Sequence, residues 1–275
     1  MSDPSMPSSF AFFWKSRIRK LLLVIPLLMC SSGCELDVDQ LIARHIHAMG
    51  GLKKQKSIQT MRVTQRVETG NPANDFEFVI MRKRGNKYRM EDPPLSAPSI
   101  QAVGMNKSDE QIPHSGTIDG CDGQRMWHKV VNSPAEPWPG SCVDIADMDG
   151  LLVDYKKKEI SVQLAGVQTI EGRDLYKLEL TRKNGRVLYF YLDAKTYLLA
   201  RIVTETNGMH QEDIYSDYRT INGIMVPFCD EMRWWKLENG GPGKDSQPAH
   251  QKQIIEKIEF NVPLDDSLFA MPSGQ

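Results

Sequence analysis

The chain has 275 residues, enough for one large domain or two small ones, with 40% hydrophobic residues and a formal net charge of −1. That composition excludes a disordered chain, and the charge balance leaves no basic face of the kind a nucleic-acid partner demands. The charge falls to −4 once residues 1–33 are set aside, because they carry Lys15, Arg17, Arg19 and Lys20 against Asp3.

Those first residues read as a targeting segment. The four cations precede an apolar run, Leu21 to Met29, followed by the small residues Ser31-Ser32-Gly33. The run is too short to span a bilayer, which takes about 20 apolar residues. One reading is an ordinary secretory signal or a short anchor. The sharper one is a bacterial lipoprotein signal, since Ser31-Ser32-Gly33-Cys34 resembles a lipobox; it departs at Ser31, where Leu is usual. Residues 1–33 are then a lipoprotein-type signal peptide, Cys34 is the site of lipid attachment, and 34–275 form a single domain. Export permits disulfides. Cys121 and Cys142 flank one strand and a Pro- and Ser-rich loop, a span one bridge can close, which leaves Cys229 as the odd thiol. No C-x-x-C pair with a nearby His occurs, so no metal site is expected.

Past the signal, Val38, Leu41, Ile42, His45 and Met49 make one helical stripe over Asp37 to Met49, with Asp37 as N-cap and Gly50-Gly51 as the stop. Leu52 to Ile58 adds a short helical turn. Met61, Val63 and Val67 alternate with polar residues as a strand, and 71–74 turn the chain. Phe76, Phe78 and Ile80 share one face of the next strand, and Tyr88 and Met90 belong to a third. Periodicity vanishes from Asp92 to Gly116, a long loop. Ile118 to Val131 is a strand pair across Cys121-Asp122-Gly123, and 134–139 is a second loop. Asp144 to Lys158 has a helical stripe of Ile145, Met148, Leu151, Leu152 and Tyr155, weakened by Gly150. Val162 to Val167 is a strand.

From Asp174 to Cys229 the chain is a meander of five antiparallel strands. Apolar runs are separated by Asn184-Gly185, Asp193 to Thr196, Asn207-Gly208 and Asn222-Gly223. Asn-Gly between such runs is a strong hairpin signal, because both residues accept positive φ. Residues 239–244 form a flexible loop, and Ile254 to Val262 is the last strand. The total is about ten strands and two helices with no parallel crossover, an α+β fold with a large antiparallel sheet.

The run YLDAKTYLLARIVTE (Tyr191 to Glu205), followed by SDYRTINGIMVPF (Ser216 to Phe228), resembles the C-terminal half of the LolA/LolB-like outer-membrane lipoprotein-sorting proteins. NVPLDDSLFAMP (Asn261 to Pro272) and IDGCDGQRMW (Ile118 to Trp127) are similar to further parts of that family. The resemblance spans roughly Asp37 to Pro272 and is built of turn and strand residues. It implies a sheet curved into an incomplete β-barrel, a few helices over its mouth, and an apolar cavity for acyl chains. It also implies lipid acyl chains or lipoproteins as partners, and a place on the periplasmic face of the envelope, anchored to the outer membrane.

No catalytic constellation stands out. His45 and His47 point different ways on their helix, and neither H-E-x-x-H nor G-x-S-x-G occurs. Asp119, Asp122 and Asp265-Asp266 read as turn residues. Trp234-Trp235 is either an interfacial anchor or a strand pair with one ring in and one out. Val187 to Leu192 is apolar on both faces, which a strand covered on both sides requires; one face then meets either a solid core or a cavity. The candidate lining is Phe76, Phe78, Tyr88, Met90, Trp127, Leu188, Phe190 and Ile202. A spacing of two keeps Phe76/Phe78, Tyr88/Met90 and Leu188/Phe190 each on one face. The expectation is a monomeric, non-enzymatic carrier without cofactor, with an envelope sensor or protein-interaction module on the same fold as the alternative.

Overall fold

Alternating apolar residues and Gly-bearing turns fold most of the chain into strands, each antiparallel to its neighbours. The structure, a computed structural model, describes residues 36–70, 72, 75–92, 116–238, 241–242 and 249–273. The targeting segment, Cys34 and most of the loop expected at 92–116 lie outside the described residues, as does most of the 239–244 loop.

Two helices come first, α1 (Val38–Ala48) and α2 (Leu52–Ser57). Strands β1 (Thr60–Glu68), β2 (Phe76–Lys83), β3 (Lys87–Asp92), β4 (Thr117–Asp122), β5 (Met126–Val130) and β6 (Glu136–Trp138) follow, then a short helix α3 (Cys142–Ala146). Next come β7 (Ser161–Ile170), β8 (Arg173–Thr181), β9 (Val187–Asp193), β10 (Leu199–Thr206), β11 (Met209–Ile221) and β12 (Ile224–Glu238). The chain closes with β13 (Gly241–Pro242), β14 (Ala249–Phe260) and a 3-10 turn, Asp266–Leu268.

The sheet path runs β6-β5-β4-β3-β2-β1-β14-β12-β11-β10-β9-β8-β7, with β13 on β12. Its end strands, β6 and β7, do not pair, so the sheet is an incomplete barrel with a concave and a convex face. β8 to β12 are the expected meander, each strand paired with its sequence neighbour. Asn207-Gly208 and Asn222-Gly223 both take positive φ (53° and 73°, 51° and 77°). Asn184-Gly185 differs: only Gly185 does so, in a longer loop closed by Gly185 N donating to Arg182 O at 2.8 Å.

Three local expectations are corrected. The segment 144–158 is not one helix. Asp147 leaves α3 in an extended conformation, and Gly150, Asp154 and Glu159 take positive φ, so turns replace a helical ladder. Leu152 and Val153 are buried all the same. The stretch 134–139 is not merely a loop, because β6 lies in it. Its Pro137 is tolerated because β6 is an edge strand, where a missing N–H breaks no ladder. Asp37 stands at the N-cap of α1, yet its side chain makes no capping hydrogen bond.

The main core lies on the concave face. α1 delivers Leu41 and Ile42 onto Leu178, Leu180, Leu188, Phe190 and Leu192 of β8 and β9. The opposite face of β8, β9 and the neighbouring β10 carries Leu175, Tyr191, Ala200 and Val203 as a second cluster. That accounts for a β9 run apolar on both sides.

The C-terminal tail covers the convex face at the other end. Phe269, fully buried, packs with Met81 and Leu264. Trp127 Nε1 donates to Phe269 O at 2.9 Å, and Arg89 Nη1 to Leu268 O at 2.9 Å. Asp266 pairs with Lys83 and Lys87 at 2.7 and 2.6 Å. Trp127 is therefore not a cavity residue. Its register partner is Gly120, and a Cβ there would run into the indole, so the absent side chain makes room for the ring under the tail.

Candidate functional site

Register partners share a face, so one line can be followed across the concave side of the sheet. It passes from Phe190 to Ile202, Asp213, Met232 and Gln251. A parallel line joins Tyr215, Asp230, Gln253, Val67 and Phe76. The first line starts on the apolar Phe190 and Ile202 and the second ends on the apolar Val67 and Phe76, while Asp213, Asp230, Gln251 and Gln253 put carboxyl and amide groups between these ends.

Two cavities open on this face. The first, of about 440 Å³, lies between α1, α2, the turns at 147–153 and the strands. Ile46, Met49, Leu152, Phe190, Leu199 and Phe260 supply apolar walls. Several of its polar residues are tied down. His45 Nδ1 lies 2.8 Å from Tyr197 O, and burial holds its imidazole below the usual range, opposed by that contact. Tyr218 Oη donates to Leu199 O at 2.6 Å. The 147–153 turns are pinned by Asp149, which accepts from Lys56 at 2.7 Å and from Arg84 at 2.9 and 2.8 Å. Burial favours the neutral carboxyl of Asp149, but the hydrogen bonds and charges of Arg84 and Lys56 outweigh it and hold it at about 2.

The second cavity, of about 410 Å³, is lined by Phe76, Phe78, Met90 and Trp234 together with Gln211, Gln251, Gln253 and Asp92. Gln251 and Gln253 each point an Nε2 at Met232 Sδ, at 3.2 and 3.0 Å. Burial raises the Asp92 carboxyl, partly offset by the Thr117 hydroxyl at 3.3 Å. Both cavities fall within the range of small-ligand sites, roughly 300–1,000 Å³.

The lining residues expected from the sequence are divided by this geometry. Phe76, Phe78 and Met90 line the second cavity, and Phe190 lines the first. Leu188 and Ile202 lie in the packing beneath α1. Tyr88 packs on Cys121, Cys142 and Ala146 and lines neither cavity. Trp127 is on the convex face. Cys121 and Cys142 are joined as a disulfide with a Cα–Cα distance of 5.8 Å, and Cys229 is a buried free thiol. Trp234 faces the second cavity, while Trp235 points away and stacks on His210 with ring centroids 4.1 Å apart. Among the described residues no group of three or more His, Cys, Asp or Glu is placed to hold a metal ion.

Sequence reasoning missed Asp213, Tyr215, Asp230, Gln251 and Gln253. The available signal was the spacing of two in Gln211/Asp213/Tyr215 and in Asp230/Met232/Trp234. It shows that these residues share faces, but not that the shared face is the inner one.

No protein-family model and no curated protein sequence matches the chain. Solved structures do. A LolA superfamily protein from Nitrosomonas europaea aligns with a TM-score of 0.51 at 13% identity, covering 84% of this chain and 96% of that one. A DUF1329 family protein from Desulfovibrio piger aligns with a TM-score of 0.50 at 15% identity, covering 85% and 97%. The fold is LolA-like, an incomplete antiparallel barrel with few helices.

Proposed function

We propose that this chain is an exported envelope protein that binds acyl chains, of lipids or of lipoproteins, inside its incomplete barrel, with no catalytic step. It is held by a lipid on Cys34, faces the periplasm at the outer membrane, and acts as a monomer. The observation that carries this reading is the pair of cavities of about 440 and 410 Å³ on the concave face of a LolA-like barrel. Burial of chain methylenes alone supplies affinity there, about 0.8 kcal/mol each. A second reading, an envelope sensor or interaction module, draws on the other observation: Leu178, Leu180, Leu188 and Leu192 are packed tight beneath α1.

Native mass spectrometry of the purified protein separates the two. Co-purified lipid supports the carrier, and Phe76→Trp should then hold the melting temperature while displacing a fluorescent acyl probe with an uncharged head. No lipid and no probe binding leave the interaction module. Cys34→Ala should remove the protein from the membrane fraction; unchanged partitioning would overturn the anchor.

A further inference from the structure

The first cavity holds a cation that has no counter-ion among the described residues. Arg82 of β2 lines it, donates Nε to Ile145 O at 3.2 Å and lies over the Tyr88 ring, 5.5 Å from its centroid. Its Nη1 and Nη2 meet neither a hydrogen-bond acceptor nor a carboxylate among the described residues. We infer that Arg82 anchors the carboxylate head of a single-chain fatty acid in this cavity, an inference that rests on the reading of the interior as an acyl-chain site. The arginine keeps accessible surface, yet desolvation is the largest influence on its guanidinium and pulls it below the usual range, against Tyr88 and Asp147. Surface that is both accessible and desolvated belongs to the wall of the cavity. A cation held there without a partner is costly, and a ligand carboxylate supplies the partner.

The acids on the same wall have cations of their own. Asp147 pairs with Lys158 at 2.6 Å, and Asp149 with Lys56 and Arg84 at 2.7 and 2.8 Å. Arg82 feels the Asp147 charge without pairing with it and is the surplus charge of the cavity. Gln55 Nε2 donates to Ile46 O at 3.1 Å, and His45 and Tyr218 are held by backbone carbonyls. The Tyr215 hydroxyl makes no hydrogen bond among the described residues, but Tyr215 stands opposite Asp230 in register, where an anion gains least. The room beside Arg82 is apolar. Met61 is its register partner on β1, Phe260 is the partner of Met61 on β14, and both line the cavity. A carboxylate on the free guanidinium donors takes charge-assisted hydrogen bonds in the arginine fork, and its chain lies against Met61 and Phe260. An alcohol head offers only a hydrogen bond without the opposite charge, and an ammonium head meets repulsion. The volume, about 440 Å³, stands toward the low end of small-ligand sites, which suits one chain rather than several.

The test is isothermal titration calorimetry at pH 8 with dodecanoic acid and dodecanol, which share one chain and differ in the head. The acid should bind at least about tenfold more tightly, as a charge-assisted hydrogen bond allows. Arg82→Met should remove about that factor for the acid and leave dodecanol unchanged. Arg82→Lys, which keeps the charge and loses the fork, should retain part of the preference. Arg125→Met, at an exposed arginine between β4 and β5, should change neither ligand. If the two ligands bind alike, or Arg82→Met weakens both equally, the anchor is overturned while the acyl-chain reading stands. If neither binds, the acyl-chain reading falls and takes the anchor with it. Should Arg82→Met fail to fold, NMR of carboxyl-labelled dodecanoic acid on the parent protein decides. An ion pair with Arg82 lowers the pKa of the bound carboxyl below that of the free acid, whereas a carboxyl buried without a cation is raised, which overturns the anchor.

Discussion

The two halves of the concave face are built from the same kind of strand and end up as different materials. Over β8 and β9 the inward residues include Leu178, Leu180, Leu188, Phe190 and Leu192, at 0–7% exposure, and α1 packs on them, with the first cavity opening beside Phe190. Over β2, β3, β11, β12 and β14 the inward residues include Phe76, Met90, Met232 and Trp234, only half-buried, and they look onto open volume. There α3 reaches only the far side, where Cys142 and Ala146 pack on Tyr88 and Cys121 with Met90 against them, and every residue that lines the second cavity lies on a strand. That half also carries Gln211, Asp213, Asp230, Gln251 and Gln253, groups that a dry core would not accept without partners. Whether the inner face of a strand is core or cavity is thus decided by what lies over it.

Matched truncations would break this comparison most directly. Leu178→Ala, in the packed half, should cost about 3–5 kcal/mol, because the site cannot collapse around the missing methyls. Phe76→Ala, in the open half, should cost less than half as much, because much of that ring already faces a cavity. Urea denaturation of the two variants checks it, and equal losses would mean the second cavity is packed in solution.

The next largest effect concerns pH. The folded-state pKa of Asp230, about 7, lies above the ordinary 3.8. Its contribution is therefore complete at low pH and lost as pH rises from about 4 to 7. Asp230→Asn should be more stable than the parent at pH 8 by about 4 kcal/mol, with the difference nearly gone near pH 4. Thermal melts across that window decide, and a variant less stable at pH 8 would place a hidden donor on Asp230.

The smallest expected change concerns the tether of the 147–153 turns. Asp149, held at about 2 by Arg84 and Lys56 against its burial, has the opposite sign. Its contribution is present above pH 4 and lost as pH falls toward 2. Asp149→Asn should cost about 2 kcal/mol at pH 7 and nothing near pH 2. Hydrogen exchange should show the loss at α2 and the 147–153 turns; protection lost evenly over the chain would argue against a local tether.

Much of the architecture was legible in the sequence, and the reason is local. Positive φ at Asn207-Gly208 and Asn222-Gly223, the stripe of α1, and period two in β1, β2 and β9 all depend on residues within a few positions of one another. The failures have local causes too, where the signals conflict. The stripe in 144–158 is real, and Leu152 is buried by it, but Gly150, Asp154 and Glu159 spend those positions on turns.

The candidate site was half legible for a different reason. A spacing of two correctly grouped Phe76 with Phe78 and Leu188 with Phe190, yet it assigned Trp127 to the wrong side and passed over Asp213 and Asp230. The sequence by itself determined the strands, their turns and which side chains share a face. Which face turns inward was decided only by the tertiary structure. It depends on partners far apart in the chain: Met61 beside Phe260, Trp127 beneath Phe269, Leu178 beneath Leu41. Periodicity is a property of one strand, whereas inside and outside exist only once the sheet has curved and something has packed against it.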